Sequence, residues 1–272
     1  MRFYTNVQLI GNQFLVRGVE NGRRFEIRDK EFSPTLFIKS KVDTKYKTLN
    51  GESVDEIFPG SVRDCREFYK KYDEIDGFEI YGNDRYIYQY ISEKYPEDEI
   101  KFDISQIKLV TLDIETTAER GFPDVESASE EILAITIQDY TTKQITTWGV
   151  KPFINKQKNV TYHHCTDERS LLNSFINYWM QDVPDVVTGW NIQLFYIPYI
   201  CKRLDRVLGE KLMKRFSNWG LVSEGKIFIQ GREHITFDVG GLTQLDYLDL
   251  YKKFTYKAQE SYRLDYIAEV EL

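Results

Sequence analysis

Two carboxylates, Asp113 and Glu115, stand two residues apart at the end of an apolar run from Ile107 to Ile114. The run predicts a buried strand, and because strand side chains alternate between faces, both acids are expected on one face. Carboxylates held together at the edge of a core repel each other and lose hydration, a conflict that a divalent cation such as Mg²⁺ resolves. The pattern predicts a metal site. The alternative is a strand that simply ends there, with both acids in water.

The elements that must position these acids follow a regular order along the second part of the chain. In chain order they are predicted strands at 107–115, 131–139 and 144–150, a helix from 166 or 167 to 180, a strand at 185–190 and a helix at 195–208. Three strands followed by helix, strand and helix is the order of a ribonuclease-H-like α/β (α+β) fold. Such a fold carries metal-ligand acids on its first strand, which strengthens the metal interpretation.

The first part of the chain has a different, strand-rich pattern. Asn21-Gly22 is the strongest short signal for a hairpin turn. A helix is expected from Ser61 to Tyr72, with strands near 78–81 and 85–90. A polar, proline-containing stretch near Tyr95 indicates a boundary. We therefore expect two domains, a smaller one at 1–104 and a second at 105–272.

Composition narrows the class of protein. Of 272 residues, 42% are hydrophobic and 29% charged, a composition typical of globular domains. The net charge of −7 argues against a basic surface coat but not against a local basic patch for nucleic acid. The three cysteines are widely spaced and predict neither a disulfide framework nor a zinc site. We expect no membrane span, no signal peptide and a cytoplasmic location.

Several motifs resemble those of one enzyme family. Asp113-Ile114-Glu115-Thr116 matches the first 3′–5′ exonuclease motif of family B DNA polymerases, and the stretch from Thr188 to Ile200 is similar to the second. Residues 209–217 and 245–254 resemble stretches in the polymerases of T-even-like bacteriophages, as does Pro34-Thr35-Leu36-Phe37. The resemblance covers nearly the whole chain in the family's order and spacing.

The resemblance implies a proofreading exonuclease attached to the N-terminal domain of a replicative DNA polymerase. In that family two divalent metals, Mg²⁺ or Mn²⁺, hold the terminal phosphodiester. Asp113 and Glu115 match the catalytic metal ligands, and Asn191 and Phe195 match positions that shape the pocket around the 3′ end. The implied partner is DNA, as a single-stranded 3′ end or a primer–template.

Two departures from the family pattern concern the metal ligands. The second-motif Asp falls on Tyr196, whose phenol has an ordinary pKa of about 10 and does not replace a carboxylate at a Mg²⁺ site. The third motif is expected beyond Leu272. With half of the ligand set, the chain is expected to be a weak or inactive nuclease in which Tyr196 fills the vacated space beside the substrate.

Two further features suggest contacts with DNA. A basic stretch is expected either to bind phosphates or to form a solvated helix face; its members are Lys202, Arg203, Arg206, Lys211, Lys214 and Arg215. Residues 228–237 are predicted to form a β-hairpin with Gly231 near its tip and Arg232 as a candidate substrate contact. The resemblance implies that a hairpin here helps to separate primer from template.

Two other groups of residues have ordinary alternatives. His163 and Cys165 could share a metal, although strand-end residues are the expected interpretation. Asp246 and Asp249 are expected on one face of a helix, paired with lysines such as Lys252 rather than replacing missing ligands.

Two other functions remain open from the sequence. The strand-rich first domain could be a non-catalytic module that binds RNA or single-stranded DNA. The chain could also be one part of a split polymerase that docks on the remaining polymerase domains.

Overall fold

A computed structural model describes residues 2–96, 99–119, 121–229 and 231–272, and the chain divides into two compact units, 1–106 and 107–272. In the first unit the elements are strands β1 (Arg2–Ile10), β2 (Gln13–Glu20), β3 (Arg23–Asp29), β4 (Leu36–Lys39), β5 (Tyr46–Lys47), β6 (Ser53–Ile57) and β7 (Ile80–Tyr81), with helices α1 (Val62–Tyr72) and α2 (Tyr86–Lys94).

The second unit contains more helix. Its strands are β8 (Leu109–Thr116), β9 (Ile132–Asp139), β10 (Ile145–Gly149), β11 (Val160–His164), β12 (Val186–Gly189), β13 (Val222–Ile229), β14 (Arg232–Val239) and β15 (Thr243–Asp246). Its helices are α3 (Glu168–Trp179), α4 (Ile197–Leu208), α5 (Glu210–Met213), α6 (Tyr247–Phe254) and α7 (Leu264–Glu271), and a π-helical segment at Ile192–Tyr196 precedes α4.

Two antiparallel sheets build the first unit. One has the order β1-β2-β3 and the other the order β5-β6-β4-β7. The predicted turn at Asn21-Gly22 is confirmed, with φ values of 50° and 78° that both lie in the left-handed region. Helix α1 begins after Ser61, whose side chain forms a capping box with Asp64, so the predicted helix is also confirmed.

The strand predicted at 85–90 is wrong, because this segment forms helix α2. Its sequence alternates Tyr86, Tyr88 and Tyr90, which favours a strand when it is considered alone. In the structure Tyr86 and Tyr90 lie one helical turn apart, and both are buried while Tyr88 is 55% exposed. The ring of Tyr90 stacks on the ring of Phe14 in β2, with their centroids 4.4 Å apart. This packing against β2 favours the helix over the strand.

A mixed six-stranded sheet forms the centre of the second unit, in the order β11-β10-β9-β8-β12-β15. Strands β8, β9 and β10 are antiparallel neighbours, whereas β12 runs parallel to both β8 and β15. The main core packs α3 and α4 against this sheet, with Ile135, Phe175 and Ile200 fully buried. The predicted ribonuclease-H-like α/β organisation is confirmed, and strands β11 and β15 add to it.

Among the helices that the structure describes, none combines the length and the apolar composition needed to cross a membrane.

Candidate functional site

Strand β8 places Asp113 and Glu115 on the open face of the sheet. Leu112 and Ile114 alternate with them and are 1% and 5% exposed in the core. The predicted common face of the two acids is therefore correct. The predicted loss of hydration is wrong, because both acids are solvent-exposed, whereas Leu112 and Ile114 form the buried face of the strand.

Strand β12 approaches β8 closely at Gly189, near the start of the second predicted motif. A Cβ atom added to Gly189 would lie 2.6 Å from the carbonyl oxygen of Leu112 and 2.6 Å from Cγ2 of Ile192. Two residues later the chain reverses at Asn191, whose φ of 64° lies in the left-handed region that Asn tolerates better than most residues. This turn leads into the π-helical segment, a feature frequent at functional sites.

Asp246 is the residue that holds this turn in place. Its carboxylate accepts hydrogen bonds from the backbone N–H groups of Asn191 at 2.9 Å, Gln193 at 3.0 Å and Leu248 at 2.9 Å. The expectation that Asp246 and Asp249 share a helix face is wrong: Asp246 ends β15, caps α6 and is 8% exposed, while Asp249 is exposed in the first helical turn. Asp246 thus joins the site through the backbone.

Tyr196 lies at the end of the π-helical segment and points towards the acids. Its half-buried ring packs against the main core, and its hydroxyl lies near the carboxylates of the site. Burial raises the pKa of Tyr196 well above its usual range, and the nearby carboxylates of Asp113, Glu115 and Asp246 raise it further. The phenol is therefore neutral at pH 7.

An aromatic pair lies beside Tyr196. The ring of Phe195 is half-buried. Its centroid lies 5.7 Å from the ring centroid of Tyr196 and 5.5 Å from that of Phe122. Phe122 is 86% exposed, on a loop for which sequence reasoning predicted no functional residue. Its glycine- and proline-rich neighbourhood gives no periodic signal, so only the fold reveals the pair.

The basic residues Lys202 and Arg203 of α4 form ion pairs with acidic residues of the same chain. Arg203 is 5% exposed and forms a buried ion pair with Glu168, with Nε–Oε1 at 2.7 Å, and it donates to the carbonyl of Ala128 at 2.9 Å. The predicted contact between Arg203 and a phosphate is therefore wrong, because this ion pair engages the guanidinium inside the protein. Lys202 is partly exposed and pairs with Glu224 of β13 at 2.7 Å.

The predicted hairpin is confirmed as the antiparallel pair β13–β14. Ile229 and Arg232 face each other at its end, and Gln230 between them lies outside the described residues. Arg232 is exposed, and Phe228 nearby is 74% exposed. Near its end the hairpin thus presents Arg232 and the apolar ring of Phe228 to solvent, and a contact between Arg232 and substrate stays a prediction.

The side chains of this site do not fit a two-metal centre. Within residues 2–96, 99–119, 121–229 and 231–272, no three His, Cys, Asp or Glu side chains are grouped so that they could hold a metal ion. Tyr196 brings a neutral phenol rather than a carboxylate beside Asp113, and Asp246 is engaged by three backbone N–H groups. Glu115 remains as an exposed carboxylate beside them.

The second candidate metal pair, His163 and Cys165, has ordinary structural contacts. The ring of His163 stacks on the ring of Trp148, with a centroid distance of 5.4 Å and an interplanar angle of 14°. The thiol of Cys165 donates to the carbonyl oxygen of His163 at 3.6 Å, so it points back towards the strand that precedes it. These contacts agree with the strand-end interpretation.

A cleft of about 700 Å³ opens on the same face of the sheet, next to Asp246. Leu250 of α6 and Leu264 of α7 line it, together with Trp190 and Leu245. The indole N–H of Trp190 donates to the carbonyl of Tyr262 at 2.9 Å, which ties the segment before α7 to the end of β12.

The sequence resembles known proteins over its whole length. Residues 67–267 match the family model described as DNA polymerase family B, exonuclease domain. The DNA-directed DNA polymerase of Escherichia phage RB69 is 31% identical over 99% of the chain and 33% of its own length, and that of Enterobacteria phage T4 is 32% identical over 99% and 32%. The chain therefore spans about a third of these curated relatives.

More distant proteins share parts of the pattern. The DNA polymerase catalytic subunit of human herpesvirus 6B (strain Z29) is 26% identical over 59% of the chain and 17% of its own length. Among solved structures, the family B DNA polymerase of the archaeon Pyrobaculum calidifontis superimposes with a TM-score of 0.66 at 18% identity, covering 99% of the chain and 39% of that protein. This structural similarity, at 18% identity, shows a shared fold only.

Proposed function

The chain belongs to DNA polymerase family B, in the T4-like exonuclease region of that family, and on this premise we propose that it serves DNA replication by receiving a single-stranded 3′ end. Its relatives are DNA-directed DNA polymerases with an exonuclease domain. Membership of this family therefore makes the chain part of an enzyme. We also propose that it binds this DNA in the cytoplasm of a host cell. The N-terminal unit is proposed as the polymerase's N-terminal domain.

The observation that carries this proposal is the pocket formed where the second motif meets β8. Asn191 turns the chain, and the π-helical segment then brings Phe195 and Tyr196 beside Asp113. The exposed ring of Phe122 extends the aromatic surface of Phe195 towards solvent. Unstacked bases bind such surfaces regardless of their sequence, which suits a strand end of any composition.

We propose that hydrolysis in this pocket is slow. Phosphodiester hydrolysis by two metals needs carboxylates that fix both ions around the attacking and leaving oxygens. Here Tyr196, a neutral phenol beside Asp113, occupies the position that a carboxylate takes in the family's second motif. The residues that remain can bind and orient a strand end, while Asp113 and Glu115 supply acceptors for its hydroxyl groups.

Digestion and binding assays separate the two parts of this proposal. A 3′-labelled single strand should survive incubation with the chain and Mg²⁺ or Mn²⁺, and Tyr196→Asp alone should restore little cleavage. Degradation close to that of an intact proofreading polymerase would refute slow hydrolysis. In fluorescence anisotropy, the chain should prefer a free single-stranded 3′ end to one closed in a duplex.

A pair of phenylalanine variants tests the pocket itself. Phe195→Ala should weaken binding of the 3′ end, because it removes the centre of the aromatic surface. Phe153→Ala is the matched control: Phe153 is 59% exposed and has a ring contact to Tyr162, in another part of the second unit. Equal affinities of the two variants would count against the pocket. An RNA strand that competes as well as DNA would favour the alternative of an RNA-binding module.

The apolar cleft favours a second candidate function, docking on the remaining polymerase domains as one part of a larger or split enzyme. The cleft is lined by apolar side chains that stay exposed, among them Leu245 at 54%, Leu250 at 49% and Leu264 at 54%. Co-purification with a polymerase-domain chain tests it. Leu250→Glu should abolish the complex, whereas Leu49→Glu, at a fully exposed site in the first unit, should not.

A further inference from the structure

The loop at 117–131 joins β8 to β9 and carries Phe122. The ring of Phe122 is 86% exposed, yet its centroid lies 5.5 Å from that of Phe195. On the β8 side of this ring, the N–H of Glu119 donates to Oε2 of Glu130 at 3.2 Å, which closes the loop near its base. The position of the ring then depends on what holds the other side of the loop.

On that other side, a turn at 124–128 contains an uncommon backbone conformation. The N–H of Ala128 donates to the carbonyl of Asp124 at 2.9 Å, and the N–H of Ser127 donates to Oδ2 of Asp124 at 2.7 Å. Ala128 has a φ of 38°, in the left-handed region that residues other than glycine rarely adopt. Such a conformation persists only where the surrounding structure holds it, so the turn needs an anchor.

Two arginines of α4 supply that anchor through the carbonyl groups of the turn. Nη1 of Arg206 donates to the carbonyl of Ser127 at 2.9 Å and to that of Ala128 at 2.7 Å. Nη1 of Arg203 donates to the same carbonyl of Ala128 at 2.9 Å, while the rest of its guanidinium pairs with Glu168. Hydrogen bonds from a cation are stronger than those between neutral groups. Arg203 is buried by its ion pair, whereas Arg206 is exposed, and its guanidinium donates to the loop.

We propose that Arg206 is a positioning residue for the DNA-binding surface, because it fixes the loop so that the ring of Phe122 stays against Phe195. Helix α4 begins at Ile197, directly after the π-helical segment that carries Phe195. The same helix therefore holds both rings, one at its start and the other through Arg206. This inference rests on the proposed function, from which it takes the aromatic surface. A direct contact between Arg206 and a DNA phosphate is the alternative.

Amide hydrogen exchange of the full chain without DNA tests the anchoring of the loop. Arg206→Met removes the donors, so the peptide at 121–129 should exchange about tenfold faster, which is the strength of a hydrogen bond to a charged group. Arg169→Met is the control: it makes the same change at an exposed arginine of α3 and should leave this peptide unchanged. Arg203 is unsuitable, because its loss would leave Glu168 unpaired in the core. Unchanged exchange in Arg206→Met would overturn the proposal.

Fluorescence anisotropy with a single-stranded 3′ end tests the link to Phe122. Arg206→Met should raise the dissociation constant by about three- to tenfold, up to the effect expected for loss of Phe122 itself. In the Phe122→Ala chain it should add nothing, because the ring that it positions is gone. The dependence of affinity on salt concentration should stay that of the parent chain.

Two binding results would overturn the proposal. One is an unchanged affinity of Arg206→Met. The other is an effect that adds to that of Phe122→Ala and comes with a shallower salt dependence, since this would show that Arg206 contacts a phosphate directly. The exchange measurement contains no DNA, so it separates the two proposals. A parent chain that fails to bind the 3′ end would refute the proposed function and leave the anchoring of the loop standing, whereas unchanged exchange would refute only the anchoring.

Discussion

The carboxylate of Asp246 accepts the backbone N–H of Asn191 at 2.9 Å and thereby joins the end of β15 to the turn that follows β12. Opposite Asp246, in the parallel register of the two strands, lies Gly189. The left-handed turn at Asn191 is therefore held on one side by a charged acceptor and on the other by a close backbone contact. The geometry of the candidate site depends on both.

Replacing Asp246 by Ala should destabilise the protein strongly. The change leaves the N–H groups of Asn191, Gln193 and Leu248 without their acceptor and removes the cap of α6. We expect a loss of about 2–4 kcal/mol in the free energy of unfolding measured with urea. Asp249→Ala, at an exposed position in the same helix, should cost roughly 0.5 kcal/mol or less. Similar losses in both variants would contradict the role given to Asp246.

Gly189→Ala tests the close approach of β12 to β8. The new methyl group would lie 2.6 Å from both Leu112 O and Ile192 Cγ2, so the strands must shift, at a cost of about 1–3 kcal/mol. Gly225→Ala is the control, because its Cβ would meet only Thr236 Oγ1 at 3.3 Å on the exposed hairpin. Thermal unfolding of the two variants should therefore differ clearly, and it would not if β12 could move freely.

The buried ion pair between Arg203 and Glu168 should be required for folding stability. Glu168→Gln keeps the side-chain size but leaves the guanidinium of Arg203 uncompensated in the core, which typically costs about 3–5 kcal/mol. Glu224→Gln breaks the more exposed pair with Lys202 and should cost about 1 kcal/mol or less. Urea unfolding of both variants measures this, and equal costs would show that burial of the pair does not matter.

Stability should fall at alkaline pH partly because of Cys65. Burial raises the pKa of the Cys65 thiol from 9.0 to about 11, and the charge of Asp64 adds to the shift. Below pH 9 the thiol is protonated in both states, so its contribution is fully present there. Between pH 9 and about 11 only the unfolded chain releases the proton, and folding stability decreases as the pH rises.

The comparison that isolates this effect uses Cys65→Ala. Its free energy of unfolding should be lower than that of the parent chain at about pH 8, where only packing is lost, but should decline less between about pH 8 and pH 10.5. Parallel declines in the two proteins would show that Cys65 does not contribute to the pH dependence.

Phe122 should contribute to the binding of single-stranded DNA. Its exposed ring continues the surface of Phe195, and removal of a stacking aromatic costs roughly 1–3 kcal/mol per base. Phe122→Ala should therefore raise the dissociation constant for a free 3′ end by about tenfold. Phe153→Ala again serves as the control. An unchanged affinity of Phe122→Ala would remove Phe122 from the binding surface.

Local patterns were enough to predict several elements of the fold and the placement of the two acids. The alternation of β8 placed Asp113 and Glu115 on one face, and the capping residues Ser61 and Asp167 marked the starts of α1 and α3. These features depend on residues a few positions apart, whose geometry follows from the backbone period. The burial of Arg203 did not follow, because a basic residue on a helix has the same local pattern whether its partner is solvent or Glu168.

The sequence by itself determined the central elements of the second unit, the common face of the two acids and the absence of a carboxylate at position 196. Only the tertiary structure decided that Tyr196 lies beside Asp113 and that Asp246 holds the turn before it. These contacts join residues that lie far apart in the chain. They depend on the register between β8, β12 and β15 and on the π-helical turn, which arise from the packing of the whole sheet.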